Sequence, residues 1–164
     1  MSRAEQKDRV FLDIAIKLGE LGTCDRAHVG CVITKRGRCV SWGFNGAPPG
    51  VPHCEDNHGW VPTEWRTQGY TDNEKGTFIR ARGCKNATHA EANALSFAAR
   101  QGISTEGGTC YVVVSPCVNC ARLLIAAGIV RVVWSQTYRD PEGSQLLETA
   151  GVEKEILLPE GYIG

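Results

Sequence analysis

The chain predicts a three-layer α/β/α fold around a mixed five-stranded sheet. Three observations carry this. Helix-like and strand-like hydrophobic periods alternate along the sequence in the order α-β-β-α-β-α-β-α-β. The first two strand-like runs meet at a short turn and read as an antiparallel hairpin, whereas the later strands are separated by helices and need crossovers, hence parallel pairing. At 164 residues, 42% of them hydrophobic and 22% charged, residues 1–164 fit a single domain with an ordinary core.

Residues 3–21 read as an amphipathic helix: Val10, Phe11, Ile14, Ala15, Leu18 and Leu21 recur at helical spacing, and Gly22 follows the last. "HVGCVITKRGRCVSWGF" is the hairpin, turning at Arg36-Gly37, and "NGAPPGVPHC" is a Gly/Pro loop that cannot continue a strand. An insert of about residues 55–83 is polar and irregular, anchored by Trp60 and Trp65; its length marks it as functional or held by something. "THAEANALSFAAR" is a helix with Thr88 as N-cap and Glu91 three residues on. "GTCYVVVS" is a strand, "CVNCARLLIAAG" a helix stopped by Gly128, "IVRVVWSQ" a strand, "GSQLLETAG" a short helix and "VEKEILLP" a last strand.

Composition narrows the function classes. No stretch is long and apolar enough to span a membrane, and the charged start "MSRAEQKDRVFL" lacks a signal-peptide core, so a cytoplasmic protein with no membrane partner is expected. Eighteen basic residues balance eighteen acidic ones, which argues against a broad nucleic-acid surface but leaves room for a small anionic ligand. In a reducing cytosol the eight cysteines are metal ligands or core thiols rather than disulfides. Cys31, Cys39 and Cys110 lie inside strand-like runs and are expected to be buried.

"SPCVNC" places Cys117 and Cys120 at a helix start, where they could serve as a redox couple, half of a structural zinc knot or part of a catalytic site. A four-cysteine knot wants a second closely spaced pair, and there is none. The partner that narrows the choice is His89-Ala90-Glu91, at the start of another helix. Crossover helices on one side of a sheet bring their N-termini together, so one imidazole and two thiolates would offer tetrahedral zinc three ligands and an open fourth position. Both helix N-termini favour the thiolates electrostatically. Glu91, two residues from the histidine, faces the water at such a metal.

This combination resembles the zinc-dependent nucleobase deaminases. The blocks "TCDRAHVGCVI", "GFNGAPPGVPHC", "HAEANAL", "SPCVNCARLLIAAGI" and Tyr138-Arg139-Asp140 resemble, in order, those of the deoxycytidylate (dCMP) deaminases, over residues 23 to about 151; only residues 55–83 match poorly. The resemblance implies hydrolysis of dCMP to dUMP and ammonia, supplying dUMP for thymidylate synthesis. It makes Glu91 the proton carrier and His89, Cys117 and Cys120 the ligands of the catalytic zinc. Asn45 is expected on the deoxyribose, Tyr138 near base and sugar, Ala90 and Ser115 at the substrate, and Arg26 or Arg139 on the phosphate. Cys24, Cys54 and Cys84, with His53 or His58, would hold a second, structural zinc. Gly43, Phe44, Asn45 and Gly46 correspond to a segment associated with dCTP activation and dTTP inhibition, with Mg²⁺ accompanying the nucleotide, in a homohexamer; here the aromatic is Phe44, where the family usually has Tyr or Trp.

Other readings stay open at this level. A 5-modified dCMP, dCTP, free cytidine or adenosine in tRNA could be the substrate, although the balanced charge disfavours tRNA. A regulatory or redox protein using the fold without catalysis is a different class, and the intact Glu91 speaks against it.

Overall fold

A computed structural model describes residues 1–24, 27–53, 70–71, 78–79 and 87–158. In chain order its elements are α1 (Arg3–Gly19), β1 (Gly30–Lys35), β2 (Arg38–Phe44), β3 (Tyr70–Thr71), β4 (Phe78–Ile79), α2 (Ala90–Arg100), β5 (Thr109–Val114), α3 (Val118–Ala126), β6 (Arg131–Gln136), α4 (Glu142–Thr149) and β7 (Glu153–Ile156). The main sheet has the order β2-β1-β5-β6-β7. β1 runs antiparallel to both β2 and β5, and β5, β6 and β7 are mutually parallel. The sheet is therefore mixed and five-stranded, and its two central strands, β1 and β5, join the hairpin to the crossover half.

Local chemistry accounts for the elements. Ser2 caps α1 reciprocally: its hydroxyl accepts from the Glu5 N–H and the Glu5 carboxylate accepts from the Ser2 N–H. Arg36 and Gly37, with φ of 53° and 71°, make the left-handed turn that a two-residue hairpin needs. β5 and β6 are buried through their middles, the pattern of strands covered on both faces.

Helices cover both faces. On one, α1 lays Leu12 and Ala15 on Val32, Tyr111 and Val133. On the other, Ala94 of α2, Ala121 and Leu124 of α3 and Leu147 of α4 pack on Cys31, Ile33, Cys110, Val112 and Val132. These are the three layers expected. Among the described residues no helix is long and apolar enough to cross a membrane.

Several local expectations are corrected. α1 ends at Gly19, and the stripe it buries is Asp8, Leu12, Ala15 and Gly19; Val10, Ile14 and Leu21 face outward. The helix approaches the sheet through small residues: a Cβ on Gly30 would lie 1.9 Å from the Ala15 carbonyl oxygen. It can bury Asp8 because Arg131 and Tyr111 meet that carboxylate. The N-cap of α2 is His89, not Thr88. Thr88 instead exchanges both backbone hydrogen bonds with Gly46, which ties it to the segment leaving β2. Cys31 and Cys110 are buried, with their sulfurs 3.5 Å apart, but Cys39 is exposed. An irregularity between Ile33 and Thr34 breaks the β1–β2 register beside Cys39, which lies on the edge strand close to the hairpin turn. Within the irregular insert a short antiparallel pair, β3–β4, is described; Trp60 and Trp65 lie outside the described residues.

Candidate active site and metal centre

The site forms at the carboxyl end of β5, where α2 and α3 begin. His89 is the N-cap of α2 and Cys117 the N-cap of α3; both have extended backbone (φ −68°, ψ 152° and φ −67°, ψ 167°) and neither side chain caps its own helix. Cys120 follows in the first turn of α3, so the Cys-x-x-Cys spacing returns the second thiol to the same side one turn later. His89 Nδ1 lies 3.6 Å from Cys117 Sγ and 3.4 Å from Cys120 Sγ.

These distances suit a metal. Tetrahedral zinc, with Zn–N and Zn–S bonds of about 2.0 and 2.3 Å, spaces its nitrogen and sulfur ligands about 3.5 Å apart. All three donor atoms fall within 4.8 Å of one another, and among the described residues no other cluster of three or more such side chains does so. Hydrogen bonding with Cys120 holds the Cys117 thiol down to about 3, while the same bond and burial push Cys120 up. Two adjacent sulfurs beside an imidazole are the donor set a soft cation takes.

Glu91 is 4% exposed, in the first turn of α2. Burial pushes its carboxyl up from the usual carboxylate range. His89, Cys117 and Glu91 line a cavity of about 330 Å³ whose far walls come from the segment before β1 and the loop after β6. A protein face with three borderline-to-soft donors, a buried carboxyl and room for a small organic molecule can run metal-assisted hydrolysis.

A family model for the cytidine and deoxycytidylate deaminase zinc-binding region matches residues 5–136. The chain belongs to this family. The deoxycytidylate deaminase of Enterobacteria phage T2 is 37% identical over 170 residues, covering 90% of each chain. That of Mycobacterium phage D29 is 38% identical over 138 residues, 82% of this chain and 97% of its own. Among solved structures, the dCMP deaminase of cyanophage S-TIM5 in complex with dCMP and dUMP matches with a TM-score of 0.72 at 25% identity, covering 96% of this chain and 99% of that one.

Asn45, Ala90, Ser115, Tyr138 and Arg139 all line the cavity with Glu91. Asn45 is buried and braces the chain before β1: its Oδ1 accepts from the Val29 N–H at 2.8 Å and its Nδ2 donates to the Ala27 carbonyl at 2.6 Å. Ser115 Oγ accepts from the Tyr138 N–H at 2.7 Å and so holds the loop after β6, where the Arg139 guanidinium lies 5.7 Å from the Tyr138 ring centre. Arg26, Cys54, His58 and Cys84 lie outside the described residues. Cys24 is buried and also lines the cavity, whereas His53 is exposed.

Of the segment 43–46, only Asn45 lines the cavity, and the rest has packing duties. A Cβ on Gly43 would meet Ala94 N at 2.6 Å and the Ala90 carbonyl oxygen at 2.7 Å. Phe44 stacks on Trp42 with ring centres 6.2 Å apart, and its carbonyl accepts from Asn93 Nδ2. Sequence reasoning missed Val29, Ala27 and Thr137 as cavity walls. Small and β-branched residues in loops carry no chemical signal, so only the folded chain places them.

Proposed function

We propose that this protein is a zinc-dependent deaminase that hydrolyses dCMP to dUMP and ammonia. The observation that carries the reading is the meeting of His89, Cys117 and Cys120 within 4.8 Å, with the buried Glu91 beside them on one nucleotide-sized cavity. The kinship with deoxycytidylate deaminases supports the choice of dCMP.

His89, Cys117 and Cys120 would hold the zinc, which would supply Lewis acidity and lower the pKa of a water towards about 7. Glu91 accepts a proton from the attacking water and passes it to N3 of cytosine. It then assists departure of the C4 amino group as ammonia, leaving the carbonyl of uracil. Its burial keeps the proton away from bulk water between the two transfers. Tyr138, held by Ser115, and Asn45, with one amide hydrogen and one lone pair beyond its internal bonds, face base and sugar. The guanidinium of Arg139, at the cavity wall, suits the phosphate, with Arg26 as a second cation for it.

The same reading makes residues 1–164 one deaminase domain of a cytoplasmic homohexamer that supplies dUMP for thymidylate synthesis. Cys24, Cys54 and Cys84, with His53 or His58, would hold a second, structural zinc. dCTP with Mg²⁺ activates and dTTP inhibits at the segment Gly43–Gly46. The Gly46–Thr88 backbone pair and the Asn93–Phe44 hydrogen bond connect that segment to the helix that carries His89 and Glu91, a short route between effector and chemistry.

One ultraviolet assay tests this reading. Initial rates are measured on dCMP, 5-methyl-dCMP, dCTP, deoxycytidine and cytidine, with and without dCTP or dTTP plus Mg²⁺. dCMP is expected to exceed deoxycytidine at least tenfold in kcat/KM, since a charge-assisted hydrogen bond contributes about 1.5–3 kcal/mol. Equal rates on nucleoside and nucleotide would overturn the monophosphate assignment, and rates unmoved by either triphosphate would overturn the regulation.

A further inference from the structure

The metal centre's ligand turn is backed by a helix that contributes no ligand. Gly143, buried in the first turn of α4, packs against the Pro116–Cys117 backbone: a Cβ at this position would lie 2.0 Å from the Pro116 carbonyl oxygen, 2.8 Å from Cys117 C and 3.0 Å from Cys117 O. Its φ is not positive, so no left-handed turn calls for glycine here. Glycine is also among the poorest helix formers, and a helix position would ordinarily be better filled by alanine. What the position does require is the absence of a side chain. Neither the Pro116 nor the Cys117 carbonyl can step aside: Pro116 is buried, and Cys117 O accepts the first hydrogen bond of α3 from the Ala121 N–H.

The loop leading into α4 carries Tyr138 and Arg139 on the cavity wall, and Asp140 Oδ1 accepts from the Glu142 N–H to hold the first turn in place. Cys117 is thus gripped from two sides, by α3, which begins at it, and by α4, which abuts its backbone.

We propose that Gly143 is a positioning residue for the metal centre: the bare backbone of α4 seats the Cys117 turn so that its sulfur stays in register with His89 and Cys120. This rests on the metal assignment above. A side chain at 143, itself outside the cavity lining, displaces the turn and with it one ligand.

Zinc transfer from the zinc-loaded protein to a chromogenic chelator separates the possibilities, with far-UV circular dichroism as the check on folding. Cys117→Ala establishes that the released zinc is the one at this site; if that variant holds zinc as the wild type does, the metal reading itself fails. With that established, Gly143→Ala is expected to release zinc at least tenfold faster than wild type while keeping its helical signal. Gln145→Ala, an exposed change on the same helix, is expected to match wild type. Helix propensity alone predicts the opposite for Gly143→Ala, a more stable protein with unchanged release, and that result overturns the proposal. Should Gly143→Ala not fold, Asp140→Ala decides: loosening the first turn from its exposed side speeds release if α4 seats the ligand, and release at the wild-type rate overturns the proposal.

Discussion

Glu91 shows how one residue's place in a helix sets its chemistry. It sits two residues after His89, in the first turn of α2, where a carboxylate usually faces solvent and complements the helix N-terminus. Here it is buried, and burial raises its affinity for a proton, which suits the proton-carrying role proposed for it. Replacing it with glutamine preserves shape and leaves the ligands untouched. Glu91→Gln is expected to keep its zinc and lower kcat by roughly 10²–10⁴-fold. Zinc analysis beside the ultraviolet assay checks this, and activity within a fewfold of wild type would remove Glu91 from the mechanism.

At the scale of elements, the site depends on how closely backbones approach. α2 is capped by His89 and carries Glu91, and β2 is the strand it contacts most. The contact includes Ser41, whose hydroxyl donates to the Ala94 carbonyl at 2.6 Å, and Gly43, which leaves no space for a Cβ against Ala90 and Ala94. Gly43→Ala must push α2 outward, and overpacking of this kind costs about 1–3 kcal/mol. Urea unfolding is expected to show that loss with an unchanged m-value, since the surface exposed on unfolding is the same. A variant as stable as wild type would mean that the strand and helix slide apart freely. The same close packing gives Gly43 a structural reason to be glycine, separate from any effector bound nearby.

Over the whole molecule, chemistry and anchorage occupy opposite ends of the sheet. The candidate metal site lies past the carboxyl end of β5, whereas Arg131 opens β6 at the other end. There Asp8 of α1 takes two hydrogen bonds from the Arg131 guanidinium, both at 2.9 Å, and one from the Tyr111 hydroxyl at 2.6 Å; Glu153 and Glu155 of β7 flank the same arginine. The network ties α1 and three strands together. Burial tends to raise the Asp8 carboxyl, but the Arg131 and Tyr111 hydrogen bonds outweigh it and hold the group below its ordinary value. A carboxyl depressed on folding contributes stability above its unfolded pKa and loses it as pH falls through the folded one. At pH 7, Asp8→Asn is expected to cost about 1.5–3 kcal/mol, the scale of a hydrogen bond to a charged group. The gap from wild type should narrow below about pH 4, where the unfolded carboxyl begins to protonate. Denaturant titrations at both pH values check this; a gap that widened in acid would contradict it.

The candidate site was legible in the sequence because its motifs are local. His89-Ala90-Glu91 and Pro116-Cys117-x-x-Cys120 each occupy a single turn, so spacing places these residues at helix starts, and alternating periods supply the α/β order. Tertiary structure decided what depends on partners distant in sequence. Asp8 looks like a surface residue until Arg131, 123 positions away, pairs with it, on a helix whose Val10 and Ile14 face solvent. Thr88 looks like a helix cap until Gly46 claims its backbone. Gly43 and Gly143 could each be glycine for many reasons, and only the approach of another backbone shows which one applies. A motif is written within one turn of chain, whereas a helix's orientation, a buried charge and a close backbone contact arise from long-range packing, which no local pattern encodes.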